Sequence, residues 1–380
     1  MQDYDLIVVG AGPAGLAAAR SAAKGGAEPL LIEKNPEIAA VKPCGEGVSQ
    51  ATFKTAEISP KPSIVLHRTN AQVYAPNMKC VEIKETGFSI NKTMFLQEMA
   101  IKAVEAGARI KVGEVVQHVE AKDNSISIKT ARDTYRAHVV IGADGYLSAV
   151  AKSLGVKEKS EPIPCVQYRM INCKLEFPDS ARVYLGNEIA PRGYAWIFPK
   201  SDGVANVGIG VRGAQAKPYL DKFIEKLGKE FERAQVIDYR GAVVPIGGLI
   251  KQNVLDGAIL VGDAAGMVIP FTGAGIHSSI AAGLMAGEVA ARAVAEKDTS
   301  KKRLLEFRSK YDEHWGGRIG KSLKAMRAIE KLNDADLNLL QETLTAEDIL
   351  NLANGVNVKR VALKLLKHPV LAAKLAKALI

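Results

Sequence analysis

Leu6-Ile7-Val8-Val9-Gly10-Ala11-Gly12-Pro13-Ala14-Gly15 decides the fold class. Four successive apolar residues read as a strand buried on both faces of a parallel sheet, and the glycines that follow place a tight turn at its end. Leu16 to Ala23 is built of strong helix formers, Gly25-Gly26 ends that helix, and Leu30-Leu31-Ile32 is the next buried strand. The stretch is a βαβ unit with the spacing G-x-G-x-x-G. In it Gly10 permits the turn, Gly12 lets the backbone approach a pyrophosphate, and Gly15 lets helix and strand pack closely. Pro13 and Ala14 open the helix, whose free N–H groups favour an anion. Glu33 follows the second strand about 20 residues on, where a carboxylate accepts from a ribose diol. Lys34 comes next. Together they point to dinucleotide binding.

Farther along, Val139-Val140-Ile141 reads as a short buried strand closing on Gly142-Ala143-Asp144-Gly145, and Ala258 to Val261 as another closing on Gly262-Asp263-Ala264-Ala265-Gly266. Each puts an acid among glycines at a strand end, within reach of a ligand along the sheet edge. For Asp144 a turn or cap carboxylate is the competing reading. No second βαβ fingerprint for a nicotinamide nucleotide follows. Residues 56–89 break into short alternating pieces and 91–106 read as a helix. The stretch 160–250 is strand-rich, with β-formers at Val183-Tyr184-Leu185, Ala195 to Phe198 and Ala205 to Val211 and a helical stretch near Tyr219 to Phe231. This reads as an inserted antiparallel sheet. From Gly275, and again from 300 to the end, the pattern is helical.

The 380 residues are 47% hydrophobic and 24% charged, with 34 glycines, a globular composition that excludes collagenous, disordered and disulfide-scaffold classes. Cys44, Cys80, Cys165 and Cys173 form no C-x-x-C pair, so reduced thiols in a cytoplasmic protein are expected and no metal site. No basic leader and no apolar run of about 18 residues occurs, so neither secretion nor membrane spanning is expected. The net charge of +10 calls for an anionic partner. Nucleic acid fits poorly, because the cations are not interleaved with aromatics. Lys359, Arg360, Lys364, Lys367, Lys374 and Lys377 instead gather in a tail with no acid after residue 356. On two helical pieces divided at Pro369 they leave Val361, Leu365 and Leu366, then Leu371, Leu375 and Leu379, on other faces. Such helices either hold the enzyme at an anionic membrane or pack their apolar sides on the body or a twin subunit.

The order G-x-G-x-x-G, G-A-D-G, G-D resembles the FAD-binding flavoproteins of the para-hydroxybenzoate hydroxylase superfamily, over about residues 4–300. Two further motifs, Lys42-Pro43-Cys44-Gly45-Glu46-Gly47 and Pro191-Arg192-Gly193-Tyr194-Ala195-Trp196-Ile197-Phe198-Pro199-Lys200, are similar to those of the geranylgeranyl reductase family. Its members saturate isolated double bonds of isoprenoid chains, including archaeal membrane lipids and chlorophyll side chains. The resemblance implies an α/β fold: a Rossmann-like FAD-binding domain of para-hydroxybenzoate hydroxylase type (1–55, 90–158 and 250–300), an inserted antiparallel β-sheet substrate domain (56–89 and 159–249), and a C-terminal helical region (301–380). It implies FAD, an isoprenoid lipid substrate such as a digeranylgeranylglycerophospholipid, and an external reductant such as NAD(P)H or reduced ferredoxin. It implies cofactor contacts from Asp144, Gly145, Gly262 and Asp263, and from a helix start at Gly273, Ala274, Gly275 and Ile276 aimed at the flavin pyrimidine edge. It also brings the loop with Cys44 and Gly45 near the isoalloxazine. An Asp-Arg helix start is replaced here by Asn91-Lys92, which leaves Lys92 as the cation near the cofactor phosphates. Arg192 stands where the family often has glycine, either as a cation for a lipid phosphate or as a solvated surface residue.

On a strand, Tyr194, Trp196 and Phe198 project from one face as an aromatic wall, with Gly47 as a further substrate contact. A chain of about 20 carbons would lose roughly 16 kcal/mol on entering water, so a lipid reductase needs an apolar tunnel. An unconjugated alkene accepts hydride only with protonation, and aromatic faces stabilise the positive charge that develops on carbon. Cys44, Tyr194 and a flavin-linked water are the candidate acids. Competing functions are a FAD-dependent monooxygenase of the aromatic hydroxylase type, a prenyl reductase for a chlorophyll-type substrate, and a non-enzymatic scaffold using the positive charge.

Overall fold

The strand Gln2–Val9 runs between Pro29–Ile32 and Thr134–Gly142, parallel to both, so the first apolar run is buried from every side. Outward from it the sheet continues to Arg109–Lys111 on one edge and to Ala258–Leu260 and Val254–Leu255 on the other. The computed structural model describes residues 2–39, 44–122, 125–365 and 368–379. Helices Pro13–Lys24 and Ile276–Ala295 pack against each other beside this sheet. Their backbones touch at Gly283 and Gly287, where an added Cβ would lie 2.1 Å from the Ala14 oxygen and 2.2 Å from that of Ala18. A hairpin not anticipated from the sequence, Val116–Lys122 with Ser125–Thr130, extends the sheet from Thr134–Gly142. Ser125–Thr130 does alternate, burying Ile126, Ile128 and Thr130, but Val116–Lys122 buries only Val116 and Val119, three residues apart across a bulge, so the period of the hairpin is broken.

The second sheet has the order Gln235–Pro245, Pro162–Ile171, Val204–Gly210, Tyr194–Ser201, Ser180–Tyr184, Val65–Tyr74, Cys80–Ile90, Gly47–Ser49. It is antiparallel except where Ser180–Tyr184 lies parallel to Val65–Tyr74. One face carries Tyr184, Ala195, Ile197, Val207 and Ile209 against helix Ala216–Lys226 through Leu220 and Phe223. The opposite face floors a cavity.

The C-terminal region is helical throughout its described length, from Lys301–Tyr311 through Gly317–Ile329, Asp334–Thr343, Ala346–Ala353 and Val358–Leu365 to Pro369–Leu379. Val361, Leu365, Leu371 and Leu375 are buried in one cluster with Ala325 and Leu340. Of the two readings of the tail, inward packing is the one observed: its apolar stripe meets the body, because these small helices find a protein surface to cover. Several of its cations are paired within the chain, Arg360 with Glu347 at 2.9 Å, Lys364 with Asp348 at 2.6 Å and Lys374 with Asp336 at 2.6 Å. Lys359 stays exposed beside Leu363. Leu366 and Lys367 lie outside the described residues, as do the side chains of Lys377 and Leu379. No helix among the described residues is long and apolar enough to cross a membrane.

Candidate active site

Two helix starts open onto one cavity of about 770 Å³. The first is Gly12-Pro13-Ala14; the second is Gly275-Ile276, approached through Gly273 and Ala274. Neither N-cap residue, Gly12 or Gly275, has a side chain to bond the free N–H groups, so the positive ends of both helix dipoles face the cavity. Gly10 and Gly15 do not line it. Gly10 has φ +101° and would place a Cβ 2.5 Å from the Ala143 oxygen, and a Cβ on Gly15 would lie 1.9 Å from the Gly10 oxygen. Both serve the turn and the close packing that bring Gly12 into place.

Glu33 is buried behind the glycine turn, accepting the Ala11 N–H at 2.7 Å and the Asn35 backbone and side-chain N–H groups at 3.0 and 2.7 Å. Lys34 is exposed next to it. Gly145, Gly262 and Asp263 line the cavity. Asp144, expected at the cofactor from its place among glycines, is not among the residues that line the cavity. Its carboxylate accepts from the Ser148 hydroxyl at 2.6 Å and from Ala149 N–H and Val150 N–H at 2.7 and 3.1 Å, holding the start of helix Ala149–Ser153. The cap reading therefore describes its side chain; burial raises its carboxyl above the ordinary value against these hydrogen bonds.

The aromatic motif lies across the floor. Strand pairing sets up three rows, Tyr194–Gly210–Cys165, Trp196–Gly208–Gln167 and Phe198–Asn206–Arg169. A Cβ on Gly208 would lie 2.3 Å from Trp196 Cζ2, so only glycine there lets the indole lie over its neighbour strand and donate to Gln167 Oε1 at 3.2 Å. Trp196 meets Tyr194 edge-on at 5.8 Å and Phe198 at 6.3 Å between ring centroids. Tyr194 donates to the Thr272 carbonyl at 2.5 Å, and burial raises its phenol far above the ordinary value. Burial likewise pushes the Cys165 thiol up to about 12.

The loop with Cys44, Gly45 and Gly47 crosses this wall. Gln167 Nε2 donates to the Cys44 carbonyl at 3.1 Å, and a Cβ on Gly45 would lie 2.7 Å from Phe198 Cε2. Cys44, Gly45, Gly47 and Lys92 line the cavity; Lys42 and Pro43 of the same motif lie outside the described residues. Beyond the wall the cavity turns apolar, with Val73, Val183 and Leu185 of the sheet facing Leu337, Leu340 and Leu344 of the C-terminal helices. Arg192, with φ +51°, also lines it and donates to the Arg212 carbonyl at 3.3 Å. These helical leucines and Gln167 were not singled out from the sequence. The spacing of Leu337, Leu340 and Leu344, and glycines alternating in Val207-Gly208-Ile209-Gly210 opposite the aromatic motif, are the signals that mark them.

Residues 162–244 match the family model of the geranylgeranyl reductase catalytic domain, and residues 7–176 match that of pyridine nucleotide-disulphide oxidoreductases. The chain is 35% identical to digeranylgeranylglycerophospholipid reductase 2 of Methanopyrus kandleri, with 99% of each chain covered. It belongs to the geranylgeranyl reductase family. A digeranylgeranylglycerophospholipid reductase of Methanocaldococcus jannaschii is likewise 35% identical over 90% of both chains. A crystal structure of a geranylgeranyl bacteriochlorophyll reductase-like protein from Thermoplasma acidophilum superposes with a TM-score of 0.89 at 30% identity, covering both chains completely. A flavin-dependent brominase shares the fold at a TM-score of 0.74 and 18% identity, over 93% of this chain and 94% of its own. As a member of this family the chain is a flavin-dependent oxidoreductase, and its mixed α/β fold with a Rossmann-like FAD-binding half is the one expected.

Proposed function

We propose that this enzyme saturates the isolated double bonds of geranylgeranyl chains on digeranylgeranylglycerophospholipids, with each chain drawn into the apolar branch of the cavity. The observation that carries the reading is the continuity of one cavity from two uncapped helix starts, over an aromatic wall, to a passage lined by leucines and valines. FAD fits the first part: the Gly12 helix start faces its pyrophosphate, Asp263 its ribityl region, and the Ile276 helix start the flavin pyrimidine edge. Glu33 uses three hydrogen bonds of about four acceptor positions and keeps one for a ribose hydroxyl. Bound FAD, reduced by NAD(P)H or reduced ferredoxin, supplies hydride.

The chain's own residues do the rest. Trp196, with Tyr194 and Phe198, faces the alkene and stabilises positive charge on its tertiary carbon. Cys44 supplies the proton, because the Tyr194 hydroxyl is committed to Thr272 and burial holds it protonated. The leucine-lined branch excludes water from the reacting carbons. Membrane contact rests on outward groups such as Lys359 and Leu363, since the apolar stripe of the tail is turned inward. Flotation with anionic vesicles tests this: Lys359→Glu is expected to weaken it, and unchanged flotation places the contact elsewhere. The activity itself is tested by adding a geranylgeranyl phospholipid to the chemically reduced enzyme without oxygen. Reoxidation of the flavin by the lipid is expected; a flavin that stays reduced refutes the reading.

A further inference from the structure

The last residue of the aromatic motif, Lys200, is only 3% exposed, yet it carries no apolar surface to the wall and lies outside the cradle. Its Nζ donates to Glu46 Oε2 at 2.8 Å and to the Ile90 carbonyl. The same Glu46 oxygen accepts from Arg169 Nη2 at 2.6 Å and Asn206 Nδ2 at 3.1 Å, while Glu46 Oε1 accepts the Lys92 N–H at 3.2 Å. Arg169 Nε in turn donates to Asn206 Oδ1 at 3.1 Å, and Asn206 Nδ2 reaches the Gly45 carbonyl at 3.2 Å. Burial works against the Glu46 charge, but Lys200 and Arg169 outweigh it and hold the carboxyl below its ordinary value. Glu46 itself sits at φ +64°, a left-handed conformation that costs a non-glycine residue energy unless its surroundings fix it. In that conformation its backbone N–H points at Cys44 Sγ, 3.3 Å away.

We propose that Glu46 is a positioning residue for the Cys44 thiol, fixed in its left-handed turn by Lys200, Arg169 and Asn206. The inference rests on the reading of Cys44 as proton donor. In that step the Cys44 S–H bond breaks, the proton forms one new C–H bond, hydride from reduced FAD forms the other, and the π bond is consumed. The flavin is oxidised by two electrons, and sulfur is left as a thiolate that water reprotonates. An N–H donated to sulfur stabilises the negative charge that develops there as the proton leaves, so the turn at Glu46 lowers the barrier to that transfer without touching substrate.

The test uses the full-length, FAD-loaded enzyme with Glu46→Gln, Lys200→Met and the double variant, which leaves neither charge buried alone. Alkylation of Cys44 by iodoacetamide is followed by mass spectrometry, with the partly exposed Cys80 as internal reference. About tenfold slower alkylation of Cys44 alone is expected, with kcat about tenfold lower and KM within about twofold. A folded double variant with an intact flavin spectrum that alkylates Cys44 at the wild-type rate overturns the proposal. Cys44→Ser separates the two readings: wild-type turnover there refutes Cys44 as the acid, while the alkylation rate still decides what Glu46 does to the thiol.

Discussion

Replacing Trp196 by leucine separates the electrostatic part of the aromatic wall from its bulk. The indole is 8% exposed, lies across Gly208, and faces the cavity on its other side. Leucine keeps apolar surface there but removes the ring quadrupole, which is worth about 0.5 to 2 kcal/mol toward a neighbouring positive charge. If that term acts only when charge develops on the alkene, kcat falls by about 2-fold to about 30-fold and KM changes little. The stability cost is expected below the about 3 to 5 kcal/mol of a closed core site, because one side of the ring already borders open volume. Trp196→Phe is the control. It keeps a π face but withdraws the N–H from Gln167 Oε1, and so retains more turnover than leucine despite leaving that oxygen unpaired. Steady-state turnover of a geranylgeranyl phospholipid, with the flavin absorbance spectrum as a check on the cofactor site, measures both. Wild-type kcat in Trp196→Leu, or Trp196→Phe falling below it, refutes the cation-stabilising role.

Glu33→Ala removes a carboxylate that holds the Ala11 N–H and is proposed to accept from the ribose, and about tenfold weaker FAD retention is expected; purification with stoichiometric FAD contradicts it. Leu340→Trp narrows the apolar branch while leaving the cradle alone, so products should retain more double bonds at unchanged flavin content, and an unchanged product pattern removes this branch as the chain path. The Glu46 carboxyl lies below its ordinary value of 4.5 in the fold, so its stabilisation is fully present above about that pH and is lost as pH falls through the lower folded value. The melting-temperature advantage of wild type over Glu46→Gln should therefore shrink below pH 4.5, and an advantage that persists at the same size into acid contradicts the pairing.

The βαβ unit was legible because Leu6 to Val9 and Leu30 to Ile32 are buried on all sides, which strips polar residues from the sequence, and because a helix start that faces an anion has few alternatives to glycine. The shared face of Tyr194, Trp196 and Phe198 was legible from period-two spacing taken with the motif that carries the family resemblance. What remained hidden depended on distance in the chain or on direction. Glu46, Arg169, Lys200 and Asn206 meet from four separate segments; Glu46 and Lys200 stand in the two quoted motifs, but nothing local says that they meet each other or brings Arg169 and Asn206 to them. Asp144 stands among glycines either way; only the position of Ser148 and the helix start at Ala149 shows its carboxylate acting as a cap. The C-terminal helices announced their apolar stripes at Val361, Leu365, Leu371 and Leu375 but not what would cover them, since a bilayer and a protein surface select the same spacing.

Mass spectrometry of a digeranylgeranyl phospholipid after anaerobic incubation with the chemically reduced enzyme tests the central claim most directly. Gains of about 2 Da for each saturated bond are predicted, the two added hydrogens being the hydride and the proton. Lipid recovered at its original mass, with the reduced flavin consuming oxygen on readmission of air and hydroxylating an aromatic substrate, would contradict it.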